Sequence, residues 1–448
     1  MKKFRLFSPK GDLFATISSF SAQGVLRLGS SVVLTRLLRP DAYGVMVVLA
    51  SITFVVELIA DMAVTVSLVR HKDGDQPRYL NTAWTLRLAR ATLNAAIVFF
   101  CAPLIASIYA APTLVLPVRV FSCWFIISAL ESMSFPLAIR RKNSRIIVYS
   151  ELVATAASTL FTVVYCYVFR TYWGMVYGTL VNRLLMTLIS YRFYPESAPK
   201  LQFDREAARE LLRYTRFAMP SSLLTLALSQ FDKIAFLRLF DLRLLGLYAL
   251  AGNIAGPIET LITKISQLVL YPRCAHDFRA DPGTFARRYY TENTKLFASM
   301  LVVPAAVGGV APLLVAVLYD PRYFDAGALL QAFMLRAALL SFASPAEDML
   351  IAAGEFQVIL IGNVLRAAGM IAGSLTGYYL WGFMGFVYGA ALSGLPPLVY
   401  YLWLQRRKGF LIARYEAFKL LFVLGVALTA YLVSEMLLGW LPIARIRI

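Results

Sequence analysis

Charge is scarce in this sequence. Only 15% of its 448 residues are charged, while 59% are hydrophobic, where a soluble domain carries about a quarter charged. Histidine occurs twice, as His71 and His276. Cysteine occurs four times, as Cys101, Cys123, Cys166 and Cys274, with no CxxC pair. That supply excludes a metal site with His/Cys spacing and leaves no Ser/His/Asp or Cys/His catalytic set. No metal and no cofactor is expected, and the cysteines read as small apolar fillers. The GxxxxGK[ST] loop is absent, so the chain has no phosphate cradle of its own for ATP. Low-complexity stretches and soluble domains are absent as well, and no cleavable signal peptide is visible. Met1–Lys10 is a basic stub ahead of an apolar stretch long enough to span.

Apolar runs of membrane-spanning length are what the chain has in abundance. Thirteen candidate spans run over residues 13–35, 45–69, 82–106, 117–139, 147–168, 174–194, 216–238, 246–270, 296–318, 327–352, 358–379, 384–404 and 418–441. They are too long for barrel strands and lack alternation. The expected fold class is an all-α polytopic membrane protein with about 12–14 transmembrane helices.

The net charge of +19 suggests a nucleic-acid partner, but its distribution argues against one. Basic residues crowd into short connections. With the N-terminus cytoplasmic, 27 of them lie in inside segments and 8 in outside ones. That bias orients a membrane protein. The longest connection joins spans six and seven. Its stretch Phe203–Tyr214 reads as a helix along the membrane surface, and a similar amphipathic piece covers Pro282–Thr291. The chain therefore divides into 1–195 (spans one to six), a cytoplasmic linker 196–215, 216–405 (spans seven to twelve), and 406–448, a cytoplasmic loop plus an extra span.

Ionisable side chains interrupt the spans. Ser19, Gln23 and Arg27 share one helix face; so do Thr53, Glu57, Asp61 and Thr65, and so do Arg87, Arg90 and Asn94. Later spans carry Arg183, Asp232, Glu259, Arg336, Glu347, Asp348 and Arg366. A charge at the bilayer centre costs about 2.5–3.5 kcal/mol even on the most lenient scale, so these groups face one another or a hydrated cavity. Interhelical ion pairs would explain any one of them. Their number in both halves points to a central polar cavity between two lobes. Arg27 with Glu57, and Asp61 with Arg90, lie at matching depths. Glu131, Glu151, Arg119 and Glu435, nearer the helix ends, read as snorkelling or capping groups. Glu57 and Asp61, one turn apart, read as a proton or sodium site or as partners of Arg27 and Arg90. Pro257, Pro304 and Pro345 lie within spans, as hinges or as tolerated kinks.

Several stretches carry a family resemblance: Val33–Ala50, Asp61–Arg70, Leu80–Trp84, Phe231–Gly256, Leu318–Gln331 and Gly382–Ala391. In this order and spacing they resemble the polysaccharide-exporter, Wzx-like oligosaccharide flippase branch of the multidrug/oligosaccharidyl-lipid/polysaccharide (MOP) superfamily. The family has twelve or fourteen spans, against the thirteen counted. The resemblance implies two six-helix lobes and alternating access that carries an undecaprenyl-pyrophosphate-linked oligosaccharide across the bacterial cytoplasmic membrane, in lipopolysaccharide or exopolysaccharide export. It also implies membrane lipid, a polymerase and chain-length machinery as partners, and no nucleic acid. Arginine suits such a substrate because its planar fork donates two parallel hydrogen bonds to phosphate. Candidates for substrate binding are then Arg27, Gln23, Arg87, Arg90, Arg183, Arg336 and Arg366. Candidates for ion coupling are Glu57, Asp61, Asp232, Glu259, Glu347 and Asp348. A cation-coupled drug or lipid exporter of the same fold is the nearest alternative; a membrane-embedded glycosyltransferase or ligase is the alternative from another class.

Overall fold

A computed structural model describes residues 9–60, 68, 74–109, 111–141, 143, 145–194, 199–209 and 241–440. Among these residues no strand occurs; they form helices and short connections. Hydropathy dictates this, because lipid offers the backbone no hydrogen-bond partner and a helix satisfies its own. Nine helical segments among the described residues are long and apolar enough to cross a membrane. The protein is a multi-pass membrane protein. Span seven of the sequence reading, 216–238, lies outside the described residues, as do Asp61 and Asp232.

The structure divides into two compact units, Met1–Gly246 and Leu247–Ile448. In the first unit α1 (Pro9–Leu37) packs on α7 (Arg145–Phe169), and α7 pairs with α8 (Trp173–Ser190). Helix α2 covers Pro40–Ala60 and α3 covers Pro77–Ile108. Both open on proline, whose missing N–H costs nothing in a first turn. Span four was expected to be one helix over 117–139. It comes instead as three pieces: α4 (Val115–Phe121), α5 (Cys123–Ala129) and α6 (Ser134–Arg140).

The second unit holds most of α9 (Leu242–Ile265), which a π-turn over Ser266–Leu270 joins to α10 (Tyr271–Ala280). The amphipathic piece expected at Pro282–Thr291 is α11 (Phe285–Glu292), with Phe285, Tyr289 and Tyr290 buried. Then follow α12 (Thr294–Leu318), α13 (Ala326–Ala352), α14 (Gln357–Ala391), α15 (Leu395–Arg407) and α16 (Ala413–Trp440). Helix α14 doubles back at Trp381 and Gly382, whose φ of +61° suits glycine.

Beyond this turn the two arms of α14 touch backbone to backbone. A Cβ on Gly377 would strike the carbonyl of Gly385, and one on Gly389 would strike that of Gly373. Small residues permit such approach between membrane helices. The first unit has a matching hairpin. Gly174 faces Cys166, and Gly178 faces Thr162. Both second arms begin with the same pattern, Gly-Met-Val-Tyr-Gly at 174–178 and Gly-Phe-Val-Tyr-Gly at 385–389. The units therefore share a hairpin plan that the sequence reading did not register.

Candidate functional site

The break in span four organises a cavity inside the first unit. Where α5 ends, its last carbonyls lack helical partners, and α3 and the end of α8 supply them. Arg87 donates to the carbonyls of Ala129 (3.1 Å) and Glu131. Thr187 donates to the carbonyl of Ile127 (2.8 Å), and the Tyr191 hydroxyl to that of Leu130 (2.6 Å). On the far side of the break the buried hydroxyls of Ser132 and Ser134 lie 2.8 and 2.7 Å from the carbonyl of Ser190. A cation at a helix C-terminus also opposes the negative end of the helix dipole. The carbonyls of Ile127, Ala129, Leu130 and Glu131 are thus all tied to α3 or to the end of α8.

Glu131 sits in this break with its side chain 8% exposed. Its carboxylate lies 3.2 Å from Arg183 and 4.0 Å from Arg87. Arg183 also donates to Ser128 Oγ (2.7 Å), and its guanidinium lies 5.4 Å from the centre of the Trp124 ring. Around them opens a cavity of about 210 Å³. Glu57 of α2, Arg87, Arg90 and Asn94 of α3, Trp124, Ser128 and Glu131 of the broken span, and Arg183 of α8 all line it. With every group ionised, the three arginines exceed the two glutamates by one charge. A guanidinium-rich, partly aromatic cavity of this kind suits a phosphate group.

The second unit holds its ionisable groups as pairs. Arg336 of α13 grips Glu259 of α9 with two hydrogen bonds, 2.9 and 3.0 Å, and lies 4.7 Å from the centre of the Phe333 ring. Asp348 accepts a hydrogen bond from Ser266, the first residue of the π-turn. Glu347 lies within electrostatic reach of Arg366.

Of the residues singled out by sequence, the structure brings together Glu57, Arg87, Arg90 and Arg183 in one cavity. It pairs Glu259 with Arg336 and sets Glu347 near Arg366. Gln23 instead reaches Glu151 on α7. Arg27 is exposed on α1 and does not line the first unit's cavity. Asp61 and Asp232 lie outside the described residues. Sequence reasoning assigned Glu131 to a helix end as a capping or snorkelling group. The structure buries it between two arginines. The available signal was local: Ser128, Glu131, Ser132 and Ser134 crowd four polar groups into an apolar run ahead of Pro136.

On the surface of the first unit, a strap over residues 199–209 is fastened to the first two turns of α3. Arg78 pairs with Asp204 (2.5 Å) and Glu206 (3.0 Å), and Asn81 donates to Gln202 (3.0 Å). Helix 205–209 begins where the Asp204 carboxylate caps the backbone N–H groups of Glu206 and Ala207, 3.0 Å each.

Comparison with known proteins agrees with this architecture. A family model described as "Polysaccharide biosynthesis protein" matches residues 33–328. The amylovoran biosynthesis protein AmsL of Erwinia amylovora is 22% identical over 245 residues, 54% of this chain. The match covers 63% of AmsL, just under two thirds of its length. The succinoglycan biosynthesis transport protein ExoT of Rhizobium meliloti is 20% identical over 367 residues, 78% of this chain and 72% of ExoT. Among solved structures, lipid II flippase MurJ in an inward closed conformation superposes with a TM-score of 0.66 at 11% identity, covering 95% of this chain and 98% of MurJ. An inward-facing multidrug resistance MATE family transporter of the MOP superfamily gives 0.61 at 14% identity, over 88% and 98% of the two chains. The likeness to these structures is one of fold.

Proposed function

We propose a transport function for this chain, which belongs to the polysaccharide biosynthesis protein family. It acts as a flippase that carries a lipid-linked oligosaccharide across the bacterial cytoplasmic membrane. The observation that supports this most is the first unit's cavity, with Arg87, Arg90 and Arg183 among membrane helices. A lipid tail has no need of such a cavity, because the bilayer serves it. A pyrophosphate and its sugars do need it, because hydrocarbon offers them neither charge compensation nor hydrogen bonds.

On this reading the substrate is an undecaprenyl-pyrophosphate-linked repeat unit, moved from the cytoplasmic to the outer leaflet by alternating access of lobes 1–195 and 216–405. Arg90 and Asn94, one turn apart on α3, face the pyrophosphate and sugar together with Arg183. Gln23, Arg27, Arg336 and Arg366 are the remaining candidates for substrate contact. With no ATP loop in the chain, an ion gradient, the membrane potential or downstream consumption by a polymerase supplies the direction. Glu57, Asp61, Asp232, Glu259, Glu347 and Asp348 are the candidates for ion coupling. The N-terminus is cytoplasmic.

The test is a deletion strain in which lipid-linked repeat units are assigned to a leaflet by enzymatic access from outside. Accumulation on the cytoplasmic leaflet, reversed by the wild-type chain but not by Arg90→Ala, is the expected result. Normal surface polysaccharide in the deletion strain overturns the proposal.

A further inference from the structure

Glu131 stands where an anionic ligand of the first unit's cavity would have to bind. Its carboxylate lies 3.2 Å from Arg183 and 4.0 Å from Arg87. Arg87 is committed to the fold, since it donates to the carbonyls of Ala129 and Glu131 at the helix break. Arg183 is held by side chains alone: the Ser128 hydroxyl, the Trp124 ring and Glu131 itself. Its side chain remains 24% exposed, next to the open volume.

We infer that Glu131 is an internal competitor for the substrate's anion, occupying Arg183 until a diphosphate group displaces it. The inference rests on reading this cavity as the site for the substrate's pyrophosphate, and it deepens that reading. Its physical basis is the cost of buried charge. An arginine in a low-dielectric cavity without a partner is strongly destabilising, so an empty site needs an anion of its own. A diphosphate offers more acceptor oxygens than one carboxylate and can take over the guanidinium fork. The charged groups that line the cavity with Glu131 are Arg87 and Arg90 on α3, Glu57 on α2 and Arg183 on α8. Displacement of the carboxylate then exchanges one anion for another, and the site avoids bare arginines at both stages.

The experiment titrates the purified full chain in nanodiscs with farnesyl pyrophosphate, a soluble polyprenyl diphosphate. Glu131→Gln should bind it about tenfold more tightly than wild type, the scale of one charge-assisted hydrogen bond. Glu206→Gln, a neutralisation in the same unit but outside the cavity, should change affinity by less than about threefold. Arg183→Gln added to Glu131→Gln should abolish the gain. Because Arg183 lies against Trp124, binding to the wild-type protein should also change tryptophan emission, and Trp124→Phe should remove that change. This second readout stands even if Glu131→Gln does not fold. Equal tightening by both neutralisations overturns the inference, and so does wild-type affinity in a folded Glu131→Gln protein or unchanged emission on binding. Those results leave the flippase reading intact, because the ligand still binds. No binding by any of the proteins overturns the pyrophosphate reading as well.

Discussion

Arg336 and Glu259 meet as a two-pronged pair, with Nε and Nη2 of the arginine 2.9 and 3.0 Å from the two carboxylate oxygens. Planar fork meets planar carboxylate, the geometry that lysine cannot reproduce. Their side chains are 31% and 22% exposed, so removing one partner leaves a charge that is largely desolvated.

Glu259→Gln should therefore lower the thermal stability of the purified protein, by about 1.5–3 kcal/mol for a lost charge-assisted bond. Arg336→Lys should cost part of this. The double variant Glu259→Gln/Arg336→Met should recover stability relative to Glu259→Gln, because the lone charge has gone. Thermal unfolding in detergent checks all three, and a double variant less stable than Glu259→Gln would contradict the account.

Alanine at Gly377 or Gly385 should be poorly tolerated. The added methyl would meet backbone, which cannot rotate away as a side chain could. Membrane yield and monodispersity should fall for both variants. Gly425 in α16 supplies the contrast, with nothing within 4 Å of an added Cβ. Alanine there should be neutral or slightly stabilising, since glycine costs up to about 1 kcal/mol in a helix.

The strap should hold at mildly acidic pH. Hydrogen bonds from Arg78, and from the backbone of Ala207 and Glu206, keep the Asp204 carboxyl down at about 2, below the ordinary aspartate value. The sign follows: a depressed folded pKa favours the fastened strap above the unfolded pKa of about 4, and that contribution fades as pH falls toward 2. An environment-sensitive dye on a cysteine placed at Leu201, which is 76% exposed, should give the same signal at pH 7 and pH 5. Asp204→Asn should change that signal already at pH 7. Release of the wild-type strap near pH 5 would refute this linkage.

Orientation can be tested directly. Glu206 and Thr113 are both exposed. After the native cysteines are removed, a cysteine at Thr113 should react with a membrane-impermeant thiol reagent once the outer membrane is permeabilised. A cysteine at Glu206 should stay protected until the cells are lysed. The reverse pattern would invert the topology and the direction of flipping with it.

Membrane spans were legible because they depend on mean hydropathy alone. The limits at 379 and 384 bracket the turn that the structure makes at Trp381 and Gly382. The helix break at residues 130–133 was not legible. Its one local sign is the crowding of Ser128, Glu131, Ser132 and Ser134, and its shape depends on partners far from it in sequence, Arg87, Thr187 and Tyr191. Glu131 was misread for the same reason: its depth along the span suggested an end, while its two arginines come from α3 and α8. The start of the helix after the strap was expected at Phe203 and comes just past Asp204, whose side chain caps it. The cluster Glu57, Arg87, Arg90 and Arg183 was legible as a set of residues that had to be kept from lipid, but not as a single cavity.

The two glycine hairpins differ in one respect that bears on motion. Their contacts sit at one constant offset of 211 positions, 174 to 385 and 162 to 373. The same hairpin plan thus recurs at the same spacing in both units. The two hairpins differ at the seam. The first is keyed: Thr162 and Cys166 stand against its glycines, and Asn182 bolts to Ser158 at 3.1 Å. In the second, glycine faces glycine at 377 with 385 and at 373 with 389. Of the two seams the first is locked by side chains and the second closes on backbone alone, so their stiffness rests on different groups.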